Sequence, residues 1–304
     1  MADTKIEWAE KTWNPVTGCT PISEGCQNCY AKRMAKRLAG RCGYPKDDPF
    51  QPVLHSAEVI KQPQKWKKPC KIFVCSMSDI FHESLPFWMI DEVIDSCMIA
   101  DWHIYMFLTK RPQQAYKYFN STSNRMENFQ KLNAMLGVTA ENQARADERI
   151  PILLQIPAAV RFVSLEPMLS KISLARYLKW PLCKHWNANG NPDEYGKYRW
   201  EKQALVAAGW TGIDWVICGG ESGPGARPMH PDWARNLRDQ CRAAGVPFLF
   251  KQWGEWQTEY PQNLSMAHRK MSYQQGQTFY LVGKKPAGRL LDGQEYNEFP
   301  KGDD

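Results

Sequence analysis

Three cysteines fall within eleven residues near the start of the chain, in "GCTPISEGCQNCYAKRMAKRLAG" at residues 18–40. Cys19, Cys26 and Cys29 give the spacing C-x6-C-x2-C. A close C-x2-C pair with a third thiol nearby suits metal ligation, because thiolates favour zinc and iron–sulfur clusters. A disulfide takes two cysteines, and a closed structural zinc site takes four ligands. The nearest further thiol is Cys42. A helix over "YAKRMAKRLA" would carry it roughly 18 Å along the axis at ~1.5 Å per residue, so closing the site needs the chain to fold back. No histidine lies between residues 1 and 54. The three-thiol site therefore reads as open, with a place for a ligand that is not protein.

The other cysteines ask for less. Ten are present in 304 residues, and a chain of this length without a secretion signal is not a disulfide scaffold. Cys75 and Cys218 sit in apolar runs and read as small buried hydrophobes. Cys183 and His185 form a C-x-H too sparse for a zinc site. The segment "MADTKIEWAEKTW" is polar, and no apolar run reaches the ~18 residues of a membrane helix, so a cytoplasmic protein is expected. The formal net charge of +7 suits an anionic partner such as nucleic acid without singling one out. Thirteen tryptophans and twelve tyrosines point first to a large core and pockets, and second to base stacking.

Chemistry needs elements to hold it. Apolar runs at "KIFVCSMSD" (71–79), "HIYMFLTKRP" (103–112), "AMLGVTAEN" (134–142), "VRFVSLEPM" (160–168), "IDWVICGGESG" (213–223) and "VPFLFKQWG" (246–254) predict six strands, with an early one in "TWNPVTG". Helical spacing follows at 86–100 and 230–245, the second closed by Gly245. "PILLQIPA" (151–158) predicts a short helix or turn. Strands alternating with helices predict a parallel sheet. The expected fold is α/β: a partial (β/α)6-type TIM-like barrel over residues 1–254, interrupted by an insertion around 180–210. A small C-terminal β-hairpin extension, 255–304, has turn signals at Gly283 and Asp292-Gly293.

Each predicted strand ends in polar residues: Ser76, Ser78 and Asp79; Thr109 and Lys110; Thr139, Glu141 and Asn142; Ser164 and Glu166; Gly219 to Ser222; Lys251 and Gln252. In a β/α barrel the active site lies at these C-terminal ends. Glu166 follows an apolar strand, so its carboxylate belongs to a site or to a buried base. "GGESGPGARP" is rich enough in glycine to cradle a phosphate, though it matches neither the P-loop nor the dinucleotide fingerprint. Lys32, Arg33, Lys36, Arg37 and Arg41 form a basic stripe at helical spacing. It reads as a solvated face, or as a track for a nucleic-acid backbone.

The motif "WNPVTGCTPISEGCQNCYAKR" resembles the radical S-adenosylmethionine (SAM) superfamily, in particular the branch related to spore photoproduct lyase. Over nearly its whole length the chain resembles a phage- and prophage-borne, radical-SAM-like family without an assigned reaction. The matching segments are "TWNPVTGC", "FLTKRP", "GVTAEN", "FVSLEPML", "WVICGGESGPGARPM" and "FKQWGEW". The first cysteine gap is six residues where the superfamily usually has three, and "SMSD" stands where it usually has Gly-Gly-Glu.

The resemblance implies a [4Fe–4S] cluster on Cys19, Cys26 and Cys29, with SAM on the fourth iron and a 5′-deoxyadenosyl radical as the product of one-electron reduction. It implies Tyr30, Ser76, Ser78, Asp79, Lys110, Glu141 and Asn142 as cofactor-binding candidates, with Arg111 an alternative to Lys110. Glu166, Glu221 and Lys251 are left as catalytic candidates, and Arg227 is also free for the substrate. The implied partners are a reductant of flavodoxin or ferredoxin type and a nucleobase or nucleotide substrate. Two other readings stay open: a zinc- or Fe–S-stabilised nucleic-acid-binding protein without turnover, and an iron–sulfur protein that does not bind SAM.

Overall fold

In the computed structural model, residue 4 and residues 6–178, 212–259 and 271–300 are described. The expected insertion around 180–210, with Cys183 and His185, lies outside the described residues. The chain is α/β. Seven parallel strands form a sheet: β1 (Lys11–Trp13), β4 (Lys71–Val74), β5 (Ile104–Thr109), β6 (Ala134–Thr139), β7 (Val160–Leu165), β8 (Trp215–Gly219) and β9 (Phe248–Gln252). Sheet order follows chain order without a switch point, which is the connectivity of a partial β/α barrel. The chain divides into two compact units, Met1–Thr139 with Gln155–Arg161, and Ala140–Leu154 with Phe162–Asp304.

In the first unit β1 pairs with β4, β4 with β5 and β5 with β6, all parallel. Strands β4, β5 and β6 are apolar on both faces, as a covered parallel sheet requires, and Ile72, Tyr105, Met106, Phe107, Leu136 and Val138 are fully buried. A two-strand ribbon joins β2 (Val16–Thr17) to β3 (Val53–Leu54). Helix α1 (Tyr30–Leu38) follows the cysteine loop and buries only Ala31 and Ala35. Helix α2 (Ala57–Ile60) is a single turn. Helix α3 (Phe87–Ile99) buries Ile90, Val93, Ile94 and Cys97, the i, i+3, i+4, i+7 stripe of an amphipathic helix. Helices α4 (Pro112–Asn120) and α5 (Ser123–Lys131) complete the unit.

In the second unit β7 pairs with β8 and β8 with β9. Helix α6 (Gln143–Leu153) continues through Pro151, so the first three residues of "PILLQIPA" end a longer helix and the next ones turn. Helix α7 (Pro231–Ala244) starts at His230, whose ring accepts the Asp232 N–H, and stops at Gly245 in the left-handed region (φ +64°). A three-stranded antiparallel sheet of β10 (Trp256–Gln257), β12 (Gln277–Leu281) and β11 (Met271–Gln274) supplies the C-terminal extension.

The hairpin of β11 and β12 turns at Gln275-Gly276, both with positive φ. Gly283 instead caps the short helix α8 (Lys284–Ala287). A two-residue hairpin loop of this kind needs two left-handed residues in succession. Asp292-Gly293 supplies them in a tight turn closed by the Leu291–Gln294 bridge, and Gly283 stands alone.

Candidate functional site

Everything around the cysteines in the first unit hangs on the C-terminal ends of β1, β4 and β5, three neighbours in the sheet. After β1, the Asn14 side-chain oxygen accepts the Ser76 hydroxyl and the Met77 N–H, both at 3.1 Å. Ser78 Oγ donates to the Val16 carbonyl at 2.8 Å. Gly18 N donates to Met77 O at 3.1 Å, and Cys19 N to Phe50 O at 2.8 Å. Gly18 has φ +89°, and a β-carbon on it would stand 1.9 Å from the Gln51 carbonyl oxygen, so glycine is required here.

The loop then meets Arg111, just after β5. Its guanidinium is buried and reaches five groups. Nη1 lies 3.4 Å from Cys19 Sγ and 3.4 Å from Asp79 Oδ2. Nη2 donates to the Thr20 carbonyl at 2.8 Å and to Thr20 Oγ1 at 3.0 Å, and Nε donates to Glu83 at 2.7 Å. Asp79 is buried too. Its carboxylate accepts the Thr109 hydroxyl (2.8 and 2.9 Å to the two oxygens), the Lys110 N–H at 3.0 Å and the Phe81 N–H at 3.1 Å. His82 closes the ring. Its Nδ1 accepts the Ser84 N–H, which leaves Nε2–H to donate to Thr20 Oγ1 at 2.8 Å. Burial, helped by Arg111, pushes the His82 pKa down and favours this neutral form.

The thiols feel this surrounding differently. Burial, then Asp79, pushes Cys19 up to about 11 against the opposing pull of Arg111. Burial also raises Cys26, but the Lys110 ammonium and hydrogen bonds at Ile22 and Ser23 outweigh it and lower the thiol. Cys19 and Cys29 pack against a small apolar cluster of Ala31, Ala35, Tyr44, Phe50 and Met77. Cys19, Cys26 and Cys29 are all free and half-buried, whereas Cys42 is exposed.

Among the described residues, no three His, Cys, Asp or Glu side chains converge on one point as ligands of a single metal ion. A four-iron cluster makes a different demand, because each thiolate binds its own iron. A donor set of three free thiols with two cationic neighbours fits such a cluster.

Of the expected cofactor residues, this unit gathers Asp79 and Lys110 beside the cysteines. The Asp79 oxygens are filled by internal donors, and the Ser76 and Ser78 hydroxyls donate to Asn14 and Val16. Tyr30, next to Cys29, is 59% exposed. Thr20, His82, Glu83 and Asn14 were not legible as site residues, since each is a lone polar residue whose partner is distant in sequence.

The second unit carries its own polar groups. Glu141, fully buried, pairs with buried Arg149 at 3.0 Å, and Asn142 caps α6 by accepting the Arg145 N–H. Glu166 directly follows β7, and Lys251 lies in β9. Lys251 Nζ sits 2.8 and 2.9 Å from the two Glu166 oxygens. The pair spans β8 above Gly219, where a β-carbon would touch both residues at 3.4–3.5 Å. Glu221 is held by Arg227 through both side-chain forks and the Arg227 N–H. The phosphate-cradle expectation for "GGESGPGARP" is overturned here. The Gly223 N–H already donates to Glu255 Oε1 at 2.7 Å and the Arg227 N–H to Glu221, so carboxylates hold amides a phosphate would need.

Fold and site define an α/β protein with three thiols at the C-terminal edge of a parallel sheet. The chain belongs to DUF5131, a family described as "Protein of unknown function", whose model matches residues 3–300. Among curated proteins none matches it by sequence. Among solved structures the chain is similar to a mutant spore photoproduct lyase with bound AdoMet and dinucleoside spore photoproduct (TM-score 0.44, 12% identity, covering 94% of this chain and 72% of that one). It is similar to the same degree to spore photoproduct lyase complexed with dinucleoside spore photoproduct.

Proposed function

We propose that this chain is an iron–sulfur enzyme of the radical SAM type, with Cys19, Cys26 and Cys29 holding a [4Fe–4S] cluster and SAM as co-substrate. The observation that carries the reading is the anchoring of Cys19 and Thr20 by buried Arg111, which fixes the cysteine loop over the ends of β1, β4 and β5. When bound, the cluster and SAM supply one-electron cleavage of a sulfonium C–S bond and a radical that abstracts hydrogen.

The chain's own residues do the rest. Arg111 donates toward the Cys19 sulfur and favours its thiolate. Lys110 does the same for Cys26 through space. Asp79 holds Arg111 and the Lys110 backbone in place, a positioning task. In the second unit the Glu166–Lys251 pair offers a substrate one acceptor and one donor. A nucleobase or nucleotide is the substrate class we propose, with a flavodoxin- or ferredoxin-type electron donor.

The test is product analysis. Anaerobically reconstituted, dithionite-reduced protein is given SAM and assayed for 5′-deoxyadenosine. Release by wild type and none by Cys29→Ala supports the reading. No release from a fully loaded wild-type protein overturns it. A zinc- or Fe–S-stabilised nucleic-acid-binding protein without turnover is the second reading, favoured by the exposed cations Lys32, Lys36 and Arg37 on α1.

A further inference from the structure

Among the described residues most arginines are matched to a carboxylate. Arg125 pairs with Asp91, Arg149 with Glu141, Arg227 with Glu221, and Arg235 and Arg238 share Asp292. Helix α1 is different. Lys32, Lys36 and Arg37 are exposed on it, and Arg41 is exposed just beyond its end. Among the described residues none of these four makes an ion pair or a side-chain hydrogen bond. Arg33, between them, donates to the Asn28 carbonyl at 2.8 Å and so ties the same face to the cysteine loop. Asp48, which follows the helix in sequence, turns its oxygen to the Phe50 N–H.

Helical geometry puts these cations together. Ala31 and Ala35 are buried, which turns positions 32, 33, 36 and 37 to the opposite side. The face begins at Tyr30, directly after Cys29, and runs ~13 Å at ~1.5 Å per residue. The exposed non-polar groups at its head are Tyr30 and Ile22. The face carries two lysines and two arginines around one aromatic, all cations of one sign, whereas the cores of protein interfaces are depleted of charge. It suits a strand that offers phosphates to the cations and a base to the ring.

We infer that α1 is a docking face for a nucleic-acid backbone, with Lys32, Lys36, Arg37 and Arg41 on phosphates and Tyr30 against a base. This deepens the proposed function by making its substrate a polymer rather than a free nucleotide. It rests on that reading only for the bound strand being the substrate.

Fluorescence anisotropy of the reconstituted full-length protein with a labelled, mixed-sequence single-stranded oligonucleotide, titrated with salt, tests it. Binding of wild type should weaken with salt. In Lys32→Gln/Lys36→Gln/Arg37→Gln the log–log salt slope should be shallower by about 2, at ~0.7 per phosphate contact, with affinity down at least about tenfold. A charge-matched control on exposed lysines elsewhere, Lys61→Gln/Lys117→Gln/Lys131→Gln, should stay near wild type. Tyr30→Ala should weaken binding without changing the slope. Absence of wild-type binding, or equal losses in the α1 variant and the control, overturns the inference. 5′-Deoxyadenosine release is read separately on the wild type. Binding without SAM cleavage sinks the enzyme reading alone, and cleavage without binding sinks the docking face alone.

Discussion

Ninety-two residues separate Cys19 from Arg111, yet the guanidinium Nη1 stands 3.4 Å from the thiol sulfur while Nη2 holds the next carbonyl, Thr20 O, at 2.8 Å. One buried arginine thus fastens the first cysteine of the motif to the end of β5. Burial disfavours its charge, and Asp79, Cys19 and Glu83 together more than compensate.

Removing that arginine should be costly. Arg111→Ala leaves Asp79 buried without its cation, a loss of about 3–5 kcal/mol for breaking a buried pair. Arg111→Lys keeps a charge but not the fork that serves Glu83, Asp79 and Thr20 at once, so it should fall between. Urea unfolding measures the stability, and iron content after reconstitution should fall in the same order.

Gly18→Ala should damage the same loop from the backbone side. Its β-carbon would meet the Gln51 carbonyl at 1.9 Å, at a φ that side chains rarely adopt. We expect at least about 2 kcal/mol of destabilisation and poor cluster loading. Gly245→Ala meets nothing within 4 Å, so it should cost only its left-handed strain, about 1 kcal/mol.

The cysteines themselves divide cleanly. Cys26→Ala and Cys29→Ala should abolish the brown absorbance of the reconstituted protein, while Cys42→Ala, on an exposed thiol, should keep it. Visible absorption and iron analysis decide it. Loss of colour in the Cys42 variant would close the site with protein and remove the place for SAM.

Acid should expose one ion pair away from the site. Arg125 holds Asp91 with bonds of 2.5 and 2.8 Å, and Tyr118 adds a third. The Arg125 hydrogen bond, against burial and with help from Tyr118, lowers the Asp91 pKa. A carboxyl whose folded pKa is depressed stabilises the fold above its unfolded value, about 3.9, and that contribution fades as pH falls through the folded one. Thermal melts from neutral pH downward should therefore show a steeper acid loss for wild type than for Asp91→Asn.

The parallel strands were legible because each is a short apolar run closed by polar residues, and chain order is sheet order. "KIFV" and "IYMFLT" needed no knowledge of their neighbours. Strand ends could be read as polar but not as partners. Glu166 and Lys251 meet only because β7 and β9 flank a strand that ends in Gly219, a relationship that exists in three dimensions alone. Asp79 reads in sequence as a lone cofactor-binding candidate, whereas in the fold its oxygens accept from Thr109, Lys110, Phe81 and Arg111. The glycine-rich "GGESGPG" looked like a phosphate nest, but Glu255, more than thirty residues on, already occupies an amide there.

In the proposed function three thiolates leave one iron open to SAM. The measurement that meets it most directly is EPR of the anaerobically reconstituted, reduced protein, with and without SAM. A reduced [4Fe–4S] signal whose shape changes when SAM is added is the expected result. A cluster signal indifferent to SAM, or a protein that loads zinc and no cluster, would contradict it.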